Sequence, residues 1–67
     1  MILQQYLKGK NRKQIASLLD ISEGYLNMLA VQLRYPSKAL AIKIERETGG
    51  QVTRMEALYP DEYKQTA

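Results

Sequence analysis

Residues 12–31, RKQIASLLDISEGYLNMLAV, constrain the fold more than any other part of the chain. Two runs of apolar residues have the spacing of a buried helix face: Ile15, Leu18 and Leu19, then Leu26, Leu29 and Leu33. Ala16 is small, and it stands where two such helices would approach each other most closely. The pattern predicts a helix-turn-helix, in which two short helices cross at a sharp angle over one core.

The second predicted helix has another face, formed by Gly24, Asn27, Met28 and Val31 at i, i+3, i+4 and i+7. A helix that buries one face in the core can present the opposite face to the major groove of DNA. We expect base contacts from six residues of this helix: Ser22, Glu23, Gly24, Asn27, Met28 and Val31.

Asn27 is the strongest of these candidates, because its amide can donate to and accept from adenine at the same time. The alternative is an ordinary solvent-exposed asparagine. Glu23 has an acceptor for the amino group of cytosine, although its charge repels phosphates. Gly24 lowers helix propensity by roughly 1 kcal/mol relative to alanine, which a close approach to DNA would explain. Met28 and Val31 suit thymine methyl groups, or equally a partner protein or a neighbouring loop.

Cap and turn residues divide the chain into short helices. Four side chains suit the position before a helix: Asn11, Ser22, Ser37 and Thr53. Asn11 with Gln14, and Thr53 with Glu56, have the spacing of a capping box. A first helix, with an apolar face of Ile2, Leu3, Tyr6 and Leu7, is closed by Gly9.

The other helix ends are also predicted. Asp20 is expected in the left-handed region, which aspartate tolerates better than most residues. The third helix is expected to reach about residue 32, and the fourth, apolar on nearly all sides, to run from about 38 to 48 before Gly49 and Gly50. Pro60 limits a short fifth helix, and residues 61–67 are expected to fray. The prediction is an all-α bundle of four helices plus a short fifth, in one domain spanning residues 1–67.

Composition excludes several classes of site. The chain contains no cysteine and no histidine, so disulfides and the commonest zinc sites are excluded, and a reducing cytoplasm is expected. The sequence has no glycine-rich phosphate loop and no pair of carboxylates in an apolar setting. We therefore expect no enzymatic activity, no cofactor and no metal site. The apolar run in MILQQYLKGK is too short for a signal peptide or a membrane span.

Charge is unevenly distributed along the chain. Residues 1–46 carry eight cationic and three acidic side chains, a net charge of +5, whereas residues 47–67 carry two and four, a net charge of −2. The basic excess coincides with the predicted helix-turn-helix, as expected for a polyanionic partner. We expect two groups of phosphate contacts on either side of the second predicted helix: Asn11, Arg12, Lys13 and Gln14, then Arg34, Tyr35, Ser37 and Lys38. Tyr25, beside the outward face of that helix, has two equal interpretations: a phosphate contact through its hydroxyl, or a core aromatic with an exposed tip.

The segment IASLLDISEGYLNMLA, a following proline and the run IERETGGQVTRMEALYPDEY resemble the small phage Cro and YdaS-type antitoxin regulators. The more specific likeness lies in four runs: Ile44-Glu45, Thr48-Gly49-Gly50, Val52-Thr53-Arg54 and Tyr59-Pro60-Asp61. The resemblance covers residues 2–63 and implies a lambda-repressor-like DNA-binding fold and a transcriptional regulator of phage or prophage origin. Two places depart from the family's pattern. Asp20 replaces the usual turn glycine, and residues 31–37 keep only Arg34 and Pro36 of a glycine-basic-proline loop.

Together these features predict a Cro-type repressor that binds a double-stranded operator and blocks polymerase. A single helix-turn-helix domain contacts too few base pairs for specificity in a genome, so a homodimer is expected on DNA. The alternative is an antitoxin that binds and neutralises a toxin protein. In that case the binding surface would be Met28, Val31 and Tyr35, or the region around Tyr59 and Tyr63. A divergently transcribed repressor gene would favour the first hypothesis, and an adjacent toxin gene the second.

Overall fold

Six short helices make up the part of the chain that the computed structural model describes, residues 1–63, which contains no strand. They are α1 (Leu3–Tyr6), α2 (Arg12–Leu19), α3 (Glu23–Ala30), α4 (Lys38–Glu47), α5 (Arg54–Leu58) and α6 (Pro60–Tyr63). The all-α class is confirmed over this range. A sixth helix, which was not predicted, begins at Pro60, a position that proline favours, so residues 61–63 of the predicted tail are helical. Residues 64–67 of the predicted tail lie outside the described residues.

The predicted caps begin four of these helices. At each, a side-chain oxygen accepts a hydrogen bond from the amide three residues later. The four bonds are Asn11 from Gln14 at 3.2 Å, Ser22 from Tyr25 at 3.0 Å, Ser37 from Leu40 at 3.2 Å and Thr53 from Glu56 at 3.2 Å. Thr53 and Glu56 form the full capping box. In the described structure Asn11 makes the cap bond without a reciprocal bond from Gln14, so that box is half formed.

Three helices end in the same way, at a residue in the left-handed region: Asp20 with φ 59°, Gln32 with φ 65° and Gly49 with φ 64°. In each case the next amide donates to the carbonyl five residues earlier. These bonds join Ile21 to Ala16 at 3.0 Å, Leu33 to Met28 at 2.9 Å and Gly50 to Glu45 at 2.8 Å. The expectations for Asp20 and Gly49 are confirmed, whereas the left-handed turn at Gln32 was not predicted.

That turn corrects the predicted end of α3. The helix stops at Ala30, and the left-handed Gln32 takes the following residues out of the helical register. Leu33 therefore leaves the face that carries Leu26 and Leu29, and it is 75% exposed. Its assignment to the buried stripe was wrong.

The core is formed by small and aliphatic side chains from every helix except α6: Leu3, Leu7, Ala16, Leu19, Leu26, Leu29, Ala30, Ala41, Ile44, Val52 and Ala57. Ala16 is buried, as predicted. Leu18 is 58% exposed, so its assignment to the core was also wrong. At 3.6 residues per turn it lies about 200° around α2 from Ala16, which faces the core.

Helix α4 contributes one face to this core rather than its whole circumference. Ala41 and Ile44 are fully buried, Leu40 and Ile42 are half-buried, and Ala39 is exposed. The helix therefore packs against α2 and α5 with a stripe at i and i+3. The prediction that this helix is apolar on nearly all sides overestimated its burial, because alanine also occurs on solvent-exposed helix faces.

The start of the chain is tied to α5. The terminal ammonium of Met1 donates to the carbonyl of Gln51 at 2.6 Å and forms an ion pair with Glu56 at 2.8 Å. Burial raises the pKa of Glu56. Hydrogen bonds from the ammonium and from Thr53, with the positive charge of the ammonium, outweigh burial and hold that pKa below its ordinary value of 4.5.

Candidate nucleic-acid interface

The outward face of α3 is largely free of contacts with the rest of the described chain. Ser22, Glu23 and Gly24 are exposed at its start, Met28 is 42% exposed, and Val31 is 56% exposed just beyond its end. The opposite face buries Leu26, Leu29 and Ala30. The predicted division of this helix into a core face and an outward face is therefore present. The Ser22 hydroxyl is already used as the helix cap, which leaves it less free for a base.

Gly24 is not required by the packing of the protein. It has ordinary helical φ, and a Cβ placed on it would meet no atom of residues 1–63 within 4 Å. Because glycine weakens a helix, its presence here has no explanation within residues 1–63. A surface that must come close to the backbone of α3 would supply one.

A hydrogen bond joins the predicted phosphate contacts at the start of α2 to the predicted base contacts on α3. Arg12, the first residue of α2, donates from its guanidinium to the side-chain oxygen of Asn27 on α3 at 2.7 Å. Both side chains are half-buried. A residue predicted to contact phosphate is therefore in direct contact with the residue predicted to read a base.

Polar and cationic side chains lie side by side at the start of α2. Lys13 and Gln14 are exposed beside Arg12, and Asn11 is held as the helix cap. Within residues 1–63 the two ion pairs are Met1 with Glu56 and Arg54 with Glu45, so neither Arg12 nor Lys13 is neutralised by a carboxylate there. The free amides of the first turn add to this positive potential.

The second predicted group follows α3. Arg34, Ser37 and Lys38 are exposed, with Ser37 capping α4. Tyr35, 51% exposed, lines a surface groove of about 300 Å³ together with residues 58–62. Asp61 and Glu62 belong to that groove, and their carboxylates are unfavourable neighbours for a phosphate. The structure thus associates Tyr35 with α5 and α6.

Tyr25 lies between the two environments considered for it. Its ring packs against the core cluster, and the residue is half-buried. A tyrosine in this position can pack its ring and keep its hydroxyl at the surface, so packing of the ring is compatible with a phosphate contact through the hydroxyl.

Lys10 lies outside both predicted groups of phosphate contacts. Its ammonium lies 4.9 Å from the centre of the Tyr6 ring, an arrangement that attracts a cation to the aromatic face. The i, i+4 spacing of Tyr6 and Lys10 was the available signal. Lys10 extends the positive charge that precedes α2.

No family model, curated protein or solved structure matches this chain. In residues 1–63 no helix is long and apolar enough to cross a bilayer. The same residues contain no cluster of acidic side chains suited to holding a metal ion.

Proposed function

We propose that this chain is a sequence-specific regulator of transcription that binds double-stranded DNA through α2 and α3. Helix α3 would lie in the major groove, and the start of α2 would contact the phosphates beside it. One observation carries this proposal. The outward face of α3 is exposed in the described structure except at Asn27, whose side chain is hydrogen-bonded to Arg12 at the cationic start of α2.

The finer proposal is a Cro-type repressor of phage or prophage origin with a lambda-repressor-like fold, acting in the bacterial cytoplasm. It rests on the resemblance of residues 2–63 to that family. A bound protein would block polymerase at an operator that overlaps a promoter. Because one α3 helix reads few base pairs, two copies would occupy a pseudo-palindromic site.

Selection of bound duplexes from a random DNA library tests this function most directly. We expect a recurring motif with two related half-sites, and tighter binding to that motif than to its scrambled sequence. Stoichiometry by sedimentation should give two chains per duplex. Recovery of no motif, with equal affinity for all duplexes, would contradict the proposal.

Salt dependence tests the proposed phosphate contacts. The affinity should fall with salt at a logarithmic slope of about −0.9 per phosphate neutralised. Lys13→Ala should weaken binding to the selected and scrambled duplexes by the same factor and make the slope shallower by about one contact. Arg46→Ala, which removes an exposed cation at the end of α4, is the matched control and should change the slope much less.

Toxin neutralisation is the second candidate, and the groove beside α6 favours it. Tyr35, Leu58, Tyr59 and Pro60 provide an aromatic and apolar lining, and Tyr59 is 49% exposed. Co-expression with the product of an adjacent toxin-like gene should restore growth, and Tyr59→Ser should abolish that rescue. Unchanged rescue by Tyr59→Ser would exclude this groove.

A further inference from the structure

The contact between Arg12 and Asn27 has a chemically unambiguous direction. Arginine carries hydrogen-bond donors and no acceptor, so the amide atom that faces it must be the carbonyl oxygen of Asn27. The 2.7 Å distance is typical of a charge-assisted bond. The amide plane of Asn27 is therefore held in one of its two orientations before any ligand binds.

This restraint leaves much of the amide available. An amide oxygen has two lone pairs, of which Arg12 uses one, and both N–H donors of Asn27 remain. The guanidinium also retains further N–H groups that can reach a phosphate oxygen. The pair can thus contact a base edge and the DNA backbone at the same time.

We infer that Arg12 is a positioning residue for sequence reading, because it fixes the Asn27 amide in the orientation that contacts the base. This inference rests on the proposed DNA-binding function and adds a role that an ordinary phosphate contact lacks. Lys13 is adjacent in sequence but exposed, and within residues 1–63 it makes no hydrogen bond to Asn27, so its role is limited to the DNA backbone.

The distinction predicts different effects on selectivity, defined as the ratio of affinities for the selected and scrambled duplexes. Lys13→Met should weaken binding to both duplexes and leave selectivity unchanged. Arg12→Met should weaken both and also reduce selectivity by about tenfold, within the roughly 5- to 150-fold discrimination that an oriented amide pair can supply. Circular dichroism and melting curves of each variant identify any loss of folding, which would affect both duplexes equally.

The test is a double-mutant cycle with Arg12→Met, Asn27→Ala and the combined variant, titrated on both duplexes at one salt concentration. If Arg12 acts through Asn27, the double variant should be no less selective than Asn27→Ala alone. If the two losses of selectivity multiply, or if Arg12→Met is as selective as the wild type, the inference is overturned while DNA binding stands. A wild type with no selectivity at all would overturn the proposed function and this inference with it.

Discussion

The hydroxyl of Thr48 connects the end of α4 to the backbone of Val52. It donates to the carbonyl of Ile44 at 2.8 Å and accepts from the amide of Val52 at 3.1 Å. Thr48 is 5% exposed, and Val52 is fully buried. The single hydroxyl therefore satisfies an amide that water cannot reach and fixes the loop that leads to α5.

Thr48→Val should destabilise the protein. The substitution keeps the shape of the side chain but leaves the buried amide of Val52 unsatisfied, at a cost of about 1–3 kcal/mol. Chemical denaturation gives this free energy. Thr48→Ser, which retains the hydroxyl, should unfold at a higher denaturant concentration than Thr48→Val. Equal stability of Thr48→Val and the wild type would show that the hydroxyl has no structural role.

Ala16→Leu should also be destabilising. Ala16 is 3% exposed in the core cluster shared by α2 and α3, so a larger side chain must displace its neighbours at a cost of roughly 1–3 kcal/mol. Ser17→Leu places the same side chain on the exposed neighbouring position and serves as the control. Thermal melting should separate the two variants clearly. Identical melting temperatures would mean that α2 does not pack through Ala16.

The lowered pKa of Glu56 predicts a contribution to stability that depends on pH. Because the folded-state pKa lies below the ordinary value of 4.5, the contribution is complete above that value and is lost as the pH falls through the folded-state pKa. Glu56→Gln should therefore be less stable than the wild type at neutral pH, and the difference should shrink in acid. Denaturation of both proteins at a series of pH values measures it. Glu45→Gln, which breaks the exposed pair with Arg54, should have a smaller effect. A constant difference at all pH values would contradict the prediction.

Gly24→Ala should separate folding from DNA binding. A methyl group there meets no atom of the described part of the chain within 4 Å and should raise stability by roughly 0.5–1 kcal/mol, because alanine favours helix more than glycine does. If α3 lies close to DNA at this point, the same methyl should weaken binding to the selected duplex. Melting curves and titrations of one preparation give both quantities. A more stable variant with unchanged affinity would mean that α3 does not approach DNA at Gly24.

Asn27→Ala should reduce affinity for the selected duplex by about 1–3 kcal/mol, as expected for loss of a bidentate contact to adenine. Binding to a scrambled duplex should hardly change, because that binding depends on phosphates. Folding should also be maintained, since Asn27 lies outside the core cluster. Equal losses on both duplexes would assign Asn27 to the DNA backbone. No loss on either would remove this helix face from base reading and favour toxin binding.

The helix starts could be predicted because a cap is a local interaction. Asn11, Ser22, Ser37 and Thr53 each bond to an amide three residues away, so the signal lies within four consecutive residues. The end of α3 was missed for a related reason. Glutamine carries no strong preference for the left-handed region, and nothing near Gln32 indicates the turn. The exposure of Leu33 followed from that single conformation.

Contacts between helices were harder to anticipate. The sequence placed Arg12 and Asn27 in the same functional surface, but their hydrogen bond depends on how α2 and α3 are oriented around the core. The same limit applies to Leu18, whose exposure depends on which side of α2 faces α3 and α4. The periodicity of apolar residues locates the buried face of a helix to within a residue or two. How the helices pack decides which residue lies at the centre of that face.

The shortness of the helices has a consequence for how the molecule acquires its structure. The longest in residues 1–63 has ten residues, and isolated helices shorter than about 12–15 residues are marginal in water. None of them is expected to persist without its neighbours, so helix formation and assembly of the core must be a single cooperative event. A peptide that carries α2 and α3 alone would thus lack the packing of α4 against α2 and of α1 against α3. The surface formed by α2 and α3 therefore cannot be transplanted as a fragment, because its shape depends on residues throughout the range 1–63.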